Sequence, residues 1–238
     1  MNQKKLFGTI GIAGAALLLV AVVVSTITFE KGAFSPLSGF YSELGQYPEG
    51  YLTASSSLVY NVGLAVFGLA LCAFMVFWGI RQNSWAFGTV SFFGLFTGVL
   101  AVAQAVFSLD FARYHYIASA AFSAAIFAFA ASYIIVSLAV GQSRNTAAIL
   151  VAFFAAACGA VFAGYIITGG MTRVFVDDAS QVGRLFLMPF AVVGWLSLLL
   201  VMALLVLLSV ETLQDRQTAR IASLAEKIRR NSTREIEL

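Results

Sequence analysis

Charge is what this sequence lacks most. Only 11% of its 238 residues are Asp, Glu, Lys or Arg, whereas a soluble domain carries about 25% because its surface must face water. That shortage excludes an ordinary water-soluble globule. Histidine occurs once, as His115, so a hydrolytic zinc site with its usual three protein ligands is not expected. Cysteine occurs twice, as Cys72 and Cys158, each in the middle of an apolar run. With no CxxC pair, neither a disulfide framework nor a metal knuckle fits, and both thiols read as small buried hydrophobes. Neither GxSxG nor a glycine-rich phosphate loop is present. No cofactor, no metal and no nucleic-acid partner is expected.

Proline is scarce as well, with three residues, and two of them, Pro36 and Pro48, fall in one stretch. That stretch, from Ser35 to Asn61, is the longest interruption of an otherwise apolar chain, 61% of which is hydrophobic. A membrane-crossing helix needs about 20 apolar residues at 1.5 Å rise each. Six runs satisfy this: residues 6–29, 58–80, 86–107, 116–140, 146–168 and 185–210. The first is too long for a signal peptide, whose apolar core is about 7–15 residues, and reads as a retained span. All six must be helices, since an open sheet would leave backbone groups unpaired in lipid. The fold class is therefore all-α: a polytopic six-helix bundle over 1–210, followed by a basic amphipathic tail over 211–238.

Basic residues sort by side. Lys4, Lys5, Arg81, Arg144 and six Arg and Lys residues of the tail fall on one side, ten in all, against Lys31, Arg113, Arg173 and Arg184 on the other. The positive-inside rule then puts both termini in the cytoplasm and the protein in the cell's inner membrane. In the tail, Ile221, Leu224 and Ile228 recur at helical spacing among basic residues. A continuation of the sixth helix that lies near anionic headgroups is expected.

Small residues suggest how the helices meet, because apolar lipid offers no drive beyond close packing. Gly94 and Gly98 form a GxxxG, Gly8, Gly11 and Gly14 line the first span, and Ala160 with Gly164 does the same on the fifth. Pro189, a turn into the sixth run, is expected to bend it.

Polar groups gather on the outer side: the first loop (30–57), Asp110 to His115, and the Arg173–Arg184 loop. Asn61, Gln104, Ser119 and Ser123 lie just inside the adjoining helix ends, and His115 and Ser119, four apart, share a face. Polar side chains in spans point inward. An outward-opening pocket above the second, third and fourth helices follows, with Glu43, Asn61, Asp110, Arg113, His115, Ser119 and Arg173 as ligand-binding candidates. Arg113 is the natural phosphate partner. The first loop is rich in aromatics and turn formers and should fold as a compact re-entrant cap on the pocket mouth. Phe34, Phe40, Tyr41, Tyr47, Tyr51, Tyr60, Tyr114 and Tyr116 suit an interfacial belt.

The function expected is that of an integral membrane protein that binds or organises a lipid or other amphiphile in that pocket. An intramembrane lipid hydrolase is the first alternative, with His115 as general base beside Asp110 or Glu43. A small-solute transporter fits less well, since the span centres lack charge. A membrane scaffold is the remaining alternative. Membrane lipids, a second copy of the chain and a cytoplasmic protein at the tail are the expected partners.

Ser42-Glu43-Leu44-Gly45, then Pro48, then Tyr60-Asn61 opening the second span, with Asp110 and His115-Tyr116 ahead of the fourth, resembles the domain-of-unknown-function (998) family of six-span prokaryotic membrane proteins. The family's Phe-Asn is Tyr-Asn in this chain. More distantly, the layout is similar to the Frag/Sfk-like and autophagy-modulator membrane proteins. The resemblance covers roughly the first five helices and implies the six-span fold; it brings no established activity.

Overall fold

The computed structural model describes residues 3–29, 34–46, 55–82, 84–108, 111–140, 145–170 and 188–236. It contains six long helices: α1 (Gln3–Ile27), α2 (Ser55–Gln82), α3 (Trp85–Val106), α4 (Ala112–Ala139), α5 (Thr146–Ile167) and α6 (Pro189–Ile236). All six are long and apolar enough to cross a membrane. Among the described residues none is in a strand, as the need to pair every backbone group inside hydrocarbon demands.

Helix ends depart from the hydropathy limits where polar residues help to start a helix. The serine run Ser55-Ser56-Ser57 begins α2 instead of closing the loop before it, so Asn61 lies nearly two turns into the helix. Arg113 and His115 belong to the first turn of α4, which starts at Ala112. Pro189 does not bend the sixth span, because it is the first residue of α6, where a missing N–H costs no helical bond. Asn145 caps α5 by accepting the N–H of Ala148 at 3.1 Å. Gly169, with φ of 80°, takes the left-handed conformation two residues after the end of α5. As expected from its periodicity, the tail continues the sixth helix, which runs without a break to Ile236.

Consecutive helices pack antiparallel, and small residues set the approach. Gly14 of α1 faces Ala70 of α2, and Gly63 of α2 faces Ala21 of α1. Gly98 of α3 brings its backbone against Gly68 and Cys72, while Gly94 lies under Met75 and Phe129. Gly8 and Gly11 meet Ser209, Leu213 and Leu205, which closes the ring between α1 and α6 at the N-terminal end. The fifth helix differs from expectation. Ala160 is exposed and Gly164 has no neighbour, whereas Gly159, one position away, packs on the backbone of Ser123 and Phe127. One residue is a rotation of about 100° on a helix, and the buried face of α5 follows Ala148, Ala152, Ala155, Ala156, Gly159 and Ala163. Cys72 and Cys158 are free thiols, partly buried. Large apolar side chains such as Leu69, Phe92, Phe153 and Ile167 point outward, which suits a lipid-facing surface.

Candidate functional site

The first loop re-enters the bundle. Residues 35–39 form a turn in which Gly39 donates to the carbonyl of Ser35 at 2.8 Å, and a short 3₁₀ helix, Tyr41–Gly45, follows. The Glu43 carboxylate ties the start of that helix by accepting the Phe40 N–H at 2.8 Å. Every residue from Phe40 to Gly45 is buried. Phe40, Tyr41 and Tyr60 are therefore core residues instead of interfacial belt residues; Tyr114 is exposed, as the belt requires. Tyr47 and Tyr51 lie outside the described residues.

This cap is anchored from several helices. On α6, the Trp195 indole N–H donates to the Gly39 carbonyl at 2.9 Å, and just ahead of it the Met188 N–H donates to the Leu37 carbonyl at 2.8 Å. On α2, the Asn61 amide donates to the Gly45 carbonyl at 3.0 Å, and the Ser57 hydroxyl donates to the Gln46 carbonyl. The aromatic contacts come from α5 and α6: Phe40 stacks on Phe162, and Tyr41 meets Phe162 and the edge of Trp195, with ring centroids 5.9–6.1 Å apart. Such pairs are worth about 0.5–1.5 kcal/mol each beyond the area they bury.

Beneath the cap runs one hydrogen-bonded chain. The Gln104 amide of α3 lies 3.2 Å from the Tyr41 hydroxyl and 3.0 Å from the Ser119 hydroxyl of α4. Ser119 in turn meets His115 Nε2 at 3.1 Å, and His115 Nδ1 lies 2.7 Å from the Phe107 carbonyl. A carbonyl can only accept, so Nδ1 carries a proton. The Ser119 oxygen accepts from Gln104, whose amide nitrogen faces both hydroxyls. Ser123 donates to the Ser119 carbonyl at 2.8 Å and also bonds the Tyr41 side chain. Burial pushes the Tyr41 phenol up to about 12, with the Gln104 and Ser123 hydrogen bonds pulling the other way.

Three buried polar atoms in and around the cap, Ser42 Oγ, Tyr60 Oη and Gln104 Oε1, have no hydrogen-bond partner among the described residues. An unsatisfied buried group costs about 1–3 kcal/mol.

The structure thus brings together Glu43, Asn61, His115 and Ser119 of the sequence candidates. Arg113 is exposed on the first turn of α4, and Asp110 and Arg173 lie outside the described residues. Tyr41 and Trp195 are the contributors that sequence reasoning did not place in the site. The signal for Trp195 was available, since an indole N–H inside a span needs a partner when buried. Among the described residues no group of three or more His, Cys, Asp or Glu could hold a metal ion.

Comparisons with family models, with curated proteins and with solved structures find no match.

Proposed function

We propose that this integral membrane protein binds a lipid or other amphiphile at its capped end, with the polar part of the ligand held at the network under the cap. The observation that carries this reading is the trio of buried atoms without a partner among the described residues, Ser42 Oγ, Tyr60 Oη and Gln104 Oε1, which offers two hydroxyls and an amide oxygen inside an apolar bundle. They match the donors and acceptors of a glycerol, ester or phosphate group, while the surrounding Phe, Leu and Ala surface suits acyl chains. Arg113, exposed at the start of α4, is the residue available to a phosphate at the interface. The distribution of basic residues, ten against four, supports placement in the inner membrane with cytoplasmic termini, so that the cap faces the outer leaflet. Kinship with the domain-of-unknown-function (998) family belongs to the same proposal. Its support is that two pieces of the motif meet, the Asn61 amide holding the Gly45 carbonyl.

The test is mass spectrometry of lipids that co-purify with wild type, Gln104→Leu, Ser42→Ala and Arg113→Ala. A lipid class held by wild type should fall roughly tenfold in Gln104→Leu, the worth of one buried hydrogen bond. Identical profiles in all four proteins would overturn the reading.

A second reading has its own observation. Ser119 Oγ lies 3.1 Å from His115 Nε2, and the ring is oriented by the Phe107 carbonyl. Nucleophile, base and orienting group are then in the order that serine hydrolases require. In this version of a lipid hydrolase Ser119 is the nucleophile beside His115. A fluorophosphonate probe should label wild type and not Ser119→Ala or His115→Ala; absence of label in wild type removes this reading.

A further inference from the structure

The three buried atoms in and around the cap differ in what they ask of a ligand. Ser42 Oγ and Tyr60 Oη are hydroxyls, which donate or accept, but Gln104 Oε1 has only lone pairs. With Gln104 Nε2 engaged by the hydroxyls of Tyr41 and Ser119, at 3.2 and 3.0 Å, it is the oxygen that remains. A group that completes Gln104 must therefore bring a hydrogen. An ester, an ether or an ionised phosphate cannot, and an alcohol can.

The three atoms belong to one neighbourhood. Ser42 sits in the 3₁₀ helix Tyr41–Gly45, and Gln104 bonds Tyr41, the residue before it. The Tyr60 ring lies against Gly45 of the same helix, where an added Cβ would come within 3.1 Å of it.

Charge on the ligand is disfavoured there. Among the described residues, the buried polar side chains include no Lys or Arg, and Arg113 faces outward. The cap contributes a buried carboxylate, Glu43, next to Ser42, which opposes an anion. Ser119 comes two turns into α4, about 10 Å from its first residue. At that depth a phosphate without a cationic partner gives up its hydration for nothing in return.

On the premise that the capped end binds an amphiphile, we propose that this ligand is a neutral lipid alcohol, such as a diacylglycerol. Its hydroxyl donates to Gln104 Oε1, and the oxygen of that hydroxyl accepts from Ser42 or Tyr60. One O–H group thus serves both the acceptor-only atom and a donor beside it.

Native mass spectrometry of the delipidated full chain tests this with three probes of the same acyl chains: dioleoylglycerol, its methyl ether and phosphatidic acid. Wild type should retain dioleoylglycerol roughly tenfold better than the ether, the worth of one buried hydrogen bond, and better than phosphatidic acid. Gln104→Leu should bring alcohol and ether to parity. Tyr60→Phe should weaken both alike, because an ether oxygen accepts as an alcohol oxygen does. Free glycerol in excess should not displace dioleoylglycerol, since it brings no apolar surface. Equal retention of alcohol and ether by wild type would overturn the alcohol and leave lipid binding at the cap in place, and so would tighter retention of phosphatidic acid. A preference that survives in Gln104→Leu would remove the hydroxyl from Gln104 and overturn the assignment. Displacement by glycerol would replace the lipid by a small polyol. Failure of wild type to retain any of the three would overturn both this inference and the reading it rests on. The wild-type comparison of alcohol with ether decides the matter by itself where a variant does not fold.

Discussion

The side-chain amide of Gln104 donates to the hydroxyl of Tyr41 at 3.2 Å, across 63 positions of sequence. This single contact joins the re-entrant cap to the third helix. Through Ser119 it also joins the cap to His115 on the fourth. The cap is thus part of the bundle's interior.

Gln104→Leu removes the donor shared by Tyr41 and Ser119 and leaves both hydroxyls short of a partner in an apolar setting. A loss of about 1–3 kcal/mol in stability is expected. Thermal unfolding in detergent measures it, and Gln104→Glu should not restore the wild-type midpoint, because a carboxylate cannot donate to both hydroxyls.

Alkali should act on Tyr41. Its folded-state value of about 12 lies above the ordinary 10, so between those values the unfolded chain gives up a proton that the folded chain keeps. Stability is unaffected below about pH 10 and falls as pH rises from 10 to 12. Tyr41→Phe should flatten that part of the stability profile relative to wild type, as followed by unfolding midpoints across the alkaline range.

Trp195→Phe keeps the ring contacts with Tyr41 and Phe34 but deletes the bond to the Gly39 carbonyl. The cap should open more often, at a cost of about 1–3 kcal/mol for the buried carbonyl left unpaired. Hydrogen exchange at residues 40–46 should accelerate while exchange in the middle of α4 and α5 stays unchanged.

Gly159→Leu and Gly164→Leu should part company. A Cβ at position 159 would lie 2.9 Å from the Ser123 carbonyl oxygen and 3.0 Å from the Phe127 nitrogen, both backbone atoms, whereas position 164 opens onto free space. The first substitution should destabilise by about 1–3 kcal/mol or more, the usual cost of overpacking. The second should shift the thermal midpoint little.

Within the site, the sequence showed which polar residues sit at helix ends but not what they touch. Asn61, His115 and Ser119 were legible because polar groups inside spans turn inward. Tyr41 was hidden among aromatics that suit an interfacial belt equally well, and only its burial distinguishes it. Arg113 looked like a member of the same cluster, yet it lies on a different side of α4 from His115 and faces outward. Two residues along a helix turn the side chain through about 200°.

The sequence by itself determined the number of spans and their approximate limits, because the cost of leaving charge or unpaired backbone in hydrocarbon is large and adds up along the chain. It also determined that the first loop must fold, since its aromatics could not remain in water. Only the tertiary structure decided which face of each helix is inside: Gly159 instead of Ala160 on α5, and Gln104 against Tyr41. Lipid is as apolar as the bundle core, so these helices carry little polar asymmetry to announce their buried side. Their rotation is settled by close packing and by the few hydrogen bonds that span the helices, and those are properties of the assembled bundle.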